Sequence, residues 1–375
     1  MAEPSASRTR IRALLFTVFL ALVTPAIAQQ PRPADAVPDA SLYDVQDNVR
    51  IPSRDGATII ATVVRSRSET GRVPTVLLYT PYYQGLGDAR IPEMAAKRGY
   101  VGIIAYARGI RTEIDDFMPY EHDGDDAYDV IDWISRQTWS DGKVGMYGGS
   151  YAGFVQWSAA RKLHPALKTI VPQVSVMPGF DAPMENNVCQ TSLCLGWPND
   201  ILQYKPLPRD LYDNWYAKGS AYQELDVLAG HRNRIFQKWL RHPAYDGYWK
   251  SMVPNAEQYA AISIPVLTTT GYYDGSQISA LQYFKLHTLY NPRAEHYLVI
   301  GPYDHHGGQK TASDELMGYA IDPVARIGMR ELAFQWLDYI LKGAEKPKIL
   351  ADKINYQVMS TNQWRHAPTL DAMND

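Results

Sequence analysis

Lys143-Val-Gly-Met-Tyr-Gly-Gly-Ser150-Tyr-Ala-Gly-Phe154 is the stretch that decides how the chain reads. A short apolar strand, Val144 to Tyr147, runs into a glycine pair. Ser150 stands at the tip, and a helical pattern follows from Phe154 to Arg161. This is the layout of a nucleophile elbow, a tight strand-to-helix turn that holds a serine hydroxyl clear of the backbone. Glycines suit such a turn because a Cβ would collide with neighbouring backbone. The first unpaired N–H groups of the following helix point to where negative charge would develop. The usual short form is G-x-S-x-G, whereas here Ala152 stands two residues after the serine and Gly153 comes one later. Alanine is small enough for the turn, so the stretch is a variant of the motif. A turn that binds nothing is the bland alternative. A phosphate loop would place a lysine beside the serine, and this chain has Tyr151 there.

Around the elbow, short apolar strands alternate with helical patterns. Val45–Arg65 reads as a hairpin, Thr75–Tyr79 and Tyr100–Tyr106 as buried strands, and Asp123–Gln137 as a helix with apolar Ala127, Val130, Ile131 and Ile134. Thr169–Val176, Pro265–Thr270 and His296–Ile300 continue the strands, and Ser276–Leu289 and Val324–Lys342 the helices. The pattern predicts an α/β fold with a parallel sheet covered on both faces. Residues 177–259 break it. They hold no convincing strand, carry Trp197, Trp215, Trp239 and Trp249, and include amphipathic stretches such as Ala221–Leu240, which predicts an inserted helical cap.

Ser150, Asp274 and His305 each follow a predicted parallel strand, in the chain order serine, acid, histidine. That is the order of the α/β-hydrolase arrangement. A serine hydroxyl needs a base to become a nucleophile, histidine can take and return the proton, and the acid orients the imidazole. His305 and His306 compete for the base, and Asp274-Gly275 is also a common turn pair. The oxyanion needs two donors. The N–H of Tyr151 is one candidate, and a tyrosine hydroxyl from the loop Thr80-Pro81-Tyr82-Tyr83 is the other.

Several further segments match one known group. The chain resembles the cocaine esterase, α-amino-acid ester hydrolase and X-prolyl dipeptidyl peptidase-like serine hydrolases. The residues that carry the likeness are Arg54-Asp55-Gly56, Thr80-Pro81-Tyr82, Arg108-Gly109, Gly142 to Gly153, Gly271-Tyr-Tyr-Asp274-Gly275 and Gly301-Pro302-Tyr-Asp-His305. The G-x-S-Y-x-G form accounts for the late glycine. The resemblance implies Ser150 as nucleophile, Asp274 and His305 as partners, and the Tyr82 hydroxyl with the Tyr151 N–H as oxyanion hole. It also implies carboxylates near the pocket where the substrate carries an α-amine, for which Asp181 and Glu185 are candidates. Tyr106 and Tyr303 depart from the Asp and Trp usual in the group.

The resemblance predicts an α/β-hydrolase core over 45–176 and 260–343, the cap over 177–259, and in 344–375 the start of a truncated C-terminal jelly-roll domain, since Ile354–Met359 and Asn362–Arg365 look like its opening. The function expected is hydrolysis of an ester or amide of a small acyl or aminoacyl substrate through an acyl-enzyme. The alternatives are an X-prolyl-type dipeptidyl peptidase and an inactive fragment or binding module.

Composition narrows the partners. The net charge of −3 argues against nucleic acid, and no motif for a metal, nucleotide or flavin is present, so no cofactor is expected. Residues 1–28 read as a secretory signal peptide: Arg8, Arg10 and Arg12, an apolar run from Ala13 to Val23, and Ala26-Ile-Ala28 before the cleavage point. A flexible leader follows over 29–44, and no later segment is apolar enough for a membrane span. Export, to the periplasm or outside the cell, permits a disulfide between the two cysteines of the chain, Cys189 and Cys194.

Overall fold

The computed structural model describes residues 37–374. The expected signal peptide and its cleavage point at Ala28 lie outside them. The described residues build fourteen strands: β1 (Tyr43–Pro52), β2 (Thr58–Ser66), β3 (Val73–Thr80), β4 (Val101–Tyr106), β5 (Ser140–Gly149), β6 (Leu167–Gln173), β7 (Met184–Glu185), β8 (Val188–Cys189), β9 (Val266–Tyr273), β10 (His296–Asp304), β11 (Glu315–Leu316), β12 (Tyr319–Ala320), β13 (Ile354–Val358) and β14 (Gln363–Ala367). Ten of them form one sheet in the order β1-β2-β4-β3-β5-β6-β9-β10-β13-β14. From β4 to β13 neighbouring strands run parallel, while β1, β2 and β14 pair antiparallel at the edges.

Adjacent residues of the strands feed opposite faces, as a period of two requires. In β3, Leu77 joins one apolar cluster with Val130, Ile131 and Trp157, and Val76 joins another with Phe334, Trp336 and Leu337. The Asp123–Ser135 and Tyr151–Ala160 helices thus cover one face, and the Met329–Lys342 helix covers the other. The Asp123–Ser135 helix buries Ala127, Val130, Ile131 and Ile134 along a single stripe, and its first turn carries Asp123, Asp125 and Asp126, which suits the positive end of its dipole. Because β3, β5, β6, β9 and β10 are parallel, the loops that leave their C-terminal ends gather at one edge, where a site can form from residues far apart in sequence.

One expectation needs correction. Residues 177–259 do contain strand: β7 and β8 pair as a hairpin across Asn186-Asn187, both at positive φ, 49° and 65°. An asparagine pair tolerates that left-handed geometry and is a hairpin turn signal. The helices of this region are short, and Ala221–Leu240 is not one helix. It divides into Leu225–Leu228 and Arg234–Trp239, with Asn233 capping the second by accepting from the Ile235 and Phe236 N–H groups. Residues 354–367 join the edge of the central sheet. β13 adds to β10 in parallel, β14 folds back on β13, and Ile354 and Ala367 pack with Leu298 and Ile300.

Candidate active site

The elbow forms as its sequence requires. Ser150 ends β5 and caps the Tyr151–Ala160 helix with φ 61° and ψ −120°, a conformation rarely held by a non-glycine residue and kept only where the surroundings enforce it. The enforcement is visible. The Ser150 N–H donates to the Gln173 carbonyl at 2.9 Å, and the Ser150 carbonyl accepts from Gly153 and Phe154 at 3.0 and 3.1 Å. Two glycines make room. Gly148 has φ 133°, and a Cβ there would fall 2.5 Å from Leu78 Cδ1. A Cβ on Gly153 would fall 2.9 Å from Ser175 Cα and 3.0 Å from the Gln173 carbonyl, so the glycine three after the serine lets the helix lie against the loop leaving β6.

Asp274 leaves β9 and His305 leaves β10, and the two meet: His305 Nδ1 lies 2.8 Å from Asp274 Oδ1. The Asp274 side chain is fully buried and also accepts from the Ser276 N–H at 3.0 Å and the Thr270 hydroxyl at 2.8 Å. Such a carboxylate fixes the imidazole with the proton on Nδ1 and leaves Nε2 free to act as a base. His306 is exposed and makes no such contact, and Asp304 accepts from the His306 and Gly307 N–H groups as a turn residue. His164 and His287 lie elsewhere, the first near Asp132 and the second buried against His296. Ser150 and His305 line one cavity without a direct hydrogen bond between them, a separation common before substrate draws the groups together.

That cavity has a volume of about 380 Å³ and is walled by Tyr82, Tyr120, Tyr151, Val176, Leu193 and Trp197, with Asp181, Glu185, Gln190 and Ser276 as its polar lining. The two expected oxyanion donors are both at this wall. The Tyr151 N–H is the first orphan donor of the helix after Ser150. Its side chain is buried and tied down, the hydroxyl donating to Asp123 Oδ2 at 2.6 Å while accepting from the Tyr120 N–H at 2.9 Å. Burial raises the Asp123 pKa to about 7, against the lowering effect of the Tyr151 hydroxyl. The Tyr82 hydroxyl accepts from the Trp197 indole N–H at 3.2 Å, and its backbone N–H donates to the Thr80 hydroxyl.

Asp181 and Glu185 are also brought to the cavity. Asp181 is 4% exposed. Its Oδ1 accepts from the Met177 N–H at 2.7 Å, and its Oδ2 has no hydrogen-bond partner. Burial raises its pKa to about 7, opposed by the Met177 N–H. Gln190 bridges the pair, its side-chain amide donating to Glu185 Oε2 at 2.9 Å and to the Asp181 carbonyl at 2.8 Å. Cys189 and Cys194 are joined in a disulfide, which closes the loop that carries Gln190 and Leu193 into the wall.

Sequence reasoning passed over Tyr120, Gln190, Leu193 and Ser276 as lining residues, and it took Trp197 only as one of the cap's aromatics. None of the first four stands in a motif: Tyr120 and Ser276 lie outside residues 177–259, Gln190 and Leu193 within them, and they meet only in the folded chain. Tyr106 and Tyr303, the two departures from the family pattern, point away from the cavity. The Tyr106 hydroxyl donates to Asp88 at 3.1 Å and that of Tyr303 to the Ala325 carbonyl at 2.8 Å. Among the described residues no group of three or more His, Cys, Asp or Glu is placed to hold a metal ion, and no helix is long and apolar enough to cross a membrane.

The profile of the X-Pro dipeptidyl-peptidase (S15) family matches residues 55–307, a span that holds the elbow, the acid and the histidine. The chain belongs to that family. It is 28% identical over 348 residues to the cocaine esterase of Rhodococcus sp. (strain MB1 Bresler), covering 86% of this chain and 59% of that protein. Solved structures share the fold. An aminopeptidase from the marine sediment archaeon Thaumarchaeota archaeon superposes with a TM-score of 0.70 at 20% identity, over 88% of this chain and 60% of that one. An α-amino-acid ester hydrolase gives 0.67 at 22% identity, over 92% and 61%. The chain therefore spans about three fifths of the length of these relatives.

Proposed function

We propose that this S15-family chain is a serine hydrolase that cleaves an ester or amide bond of a small acyl or aminoacyl substrate through an acyl-enzyme. One observation carries the reading: His305, bound to the buried Asp274 at 2.8 Å, shares a cavity wall with Ser150 at the strained elbow. In this mechanism His305 Nε2 takes the Ser150 proton as Oγ attacks the substrate carbonyl carbon. The oxygen that gains charge lies between the Tyr151 N–H and the Tyr82 hydroxyl. Collapse breaks the bond to the leaving alcohol or amine, which receives the proton from His305, and water repeats the sequence to free the acid. The reading includes export, supported by the pattern over residues 1–28 and by the disulfide.

The aminoacyl form of the substrate has its own support. Asp181 and Glu185 both line the cavity, and Asp181 Oδ2 has no hydrogen-bond partner, a pair of carboxylates able to receive an ammonium group. An exopeptidase of the X-prolyl type needs such an anionic site, and the names of the family and of the archaeal relative agree with that second reading.

The test uses residues 29–375 and the Ser150→Ala variant. The wild-type chain is expected to turn over p-nitrophenyl esters and to be labelled by a fluorophosphonate probe, and the variant to do neither. Equal labelling of both would sink the proposal. Faster cleavage of dipeptidyl-proline amides than of simple esters would decide for the exopeptidase, and no turnover of either by folded wild-type chain would decide for a binding module.

A further inference from the structure

The contact between Trp197 and Tyr82 carries more than packing. An indole nitrogen can only donate, so at 3.2 Å the Tyr82 oxygen must be the acceptor. The phenolic proton then has to point elsewhere. Among the described residues no protein group accepts it, and Tyr82 lines the cavity with Ser150. The indole has little freedom of its own. It stacks on Tyr151 at 5.8 Å and 24° and on Trp239 at 6.3 Å and 15°, and it meets the Tyr82 ring edge-on at 84°. Its N–H is therefore held by the aromatic cluster and not by the bond it makes.

We propose that Trp197 is a positioning residue for the oxyanion site: its N–H occupies a lone pair of the Tyr82 hydroxyl and leaves the phenolic proton aimed into the cavity. The inference rests on the reading of Tyr82 as an oxyanion donor. The bond acts in two ways. It restricts rotation of a hydroxyl that would otherwise be free to turn, which is the preorganisation that makes such donors effective. It also strengthens the O–H as a donor, since a hydroxyl that accepts one hydrogen bond gives a better one. The same indole packs against Tyr151, whose N–H is the second donor, so one side chain braces both.

The test is a double-mutant cycle with p-nitrophenyl acetate, whose small acyl group keeps substrate contact with the indole to a minimum. Tyr82→Phe is expected to lower kcat by about a hundredfold. Trp197→Phe, which keeps a ring and removes the N–H, is expected to lower kcat by about fivefold to tenfold with KM unchanged. In the Tyr82→Phe background the same change is expected to cost less than about twofold, because the hydroxyl it serves is gone. Benzothienylalanine at position 197 replaces the N–H by sulfur at nearly constant shape, so it reads the donor alone even if Trp197→Phe folds poorly. Equal losses in both backgrounds would overturn the proposal, since the ring would then act by packing or by touching substrate. Full activity of the benzothienyl variant would overturn it as well. Full activity of Tyr82→Phe would instead remove Tyr82 from the oxyanion site and the inference with it.

Discussion

Asp274→Asn removes a charge at nearly constant shape, and the donors around the carboxylate dictate how the amide must sit. Oδ1 accepts from the Ser276 N–H and from His305, and Oδ2 accepts from the Thr270 hydroxyl. A backbone N–H cannot reverse its role, whereas a hydroxyl can. The amide oxygen therefore stays toward Ser276 and His305, and its nitrogen faces Thr270, which turns to accept. His305 keeps its Nδ1 proton, and what disappears is the attraction between the carboxylate and the imidazolium formed during reaction. Two unit charges about 4 Å apart at an effective dielectric of about 20 attract by about 4 kcal/mol. His305 is 36% exposed, so solvent screening reduces the loss to about 2–3 kcal/mol. That corresponds to a fall in kcat of about a hundredfold. An amide that imposes the wrong tautomer costs about 10⁴. The assay is kcat for p-nitrophenyl ester hydrolysis by wild-type and variant chains of matched Tm. A loss below about threefold would exclude Asp274 from the mechanism, and a loss near about 10⁴ would show that the amide sits reversed, against the hydrogen-bond argument.

Gly153→Ala should lower stability by about 1–3 kcal/mol, as overpacking of a close-packed site does, because its Cβ meets the Ser175 and Gln173 backbone. A thermal melt unchanged from wild type would refute the close approach of helix and loop. Asp123 and Asp181 keep their protons in the folded chain up to about pH 7, while the unfolded carboxyls release theirs near 3.8. The folded state then binds more protons than the unfolded state between those values, so stability falls as pH rises from about 4 to 7, by about 4 kcal/mol at most for Asp123. Urea unfolding at several pH values should show that decline, and Asp123→Asn should make it shallower, leaving the part due to Asp181. An equal slope in the variant would remove Asp123 as its source.

Much of the sheet was legible because its strands are short, apolar and separated by helical periodicity, and that pattern survives without knowledge of contacts. The cap was less legible. Its aromatic content marked it as an insertion, but the β7–β8 hairpin rests on Asn186-Asn187, a turn signal easily lost in a region of short helices. Lys353–Met359 was read as a strand, and the structure has one at Ile354–Val358, in the central sheet. Alternation shows that a strand exists, whereas its partner depends on which edge is open, and here that edge is β10.

The sequence by itself determined the chemistry on offer: a serine at a glycine-rich elbow, then an acid, then a histidine, each after a strand. Local geometry suffices for this, because a sharp turn and a parallel strand leave marks within a dozen residues. The resemblance already favoured His305 over His306, and the tertiary structure adds that His305 is the imidazole that reaches Asp274 across two loops. It also decided that Asp181 lines the cavity, and that Trp197 and Asp123 hydrogen-bond to Tyr82 and Tyr151 on the wall shared with Ser150. Those relations join residues tens of positions apart, and no periodicity along the chain records which of them meet in the folded protein.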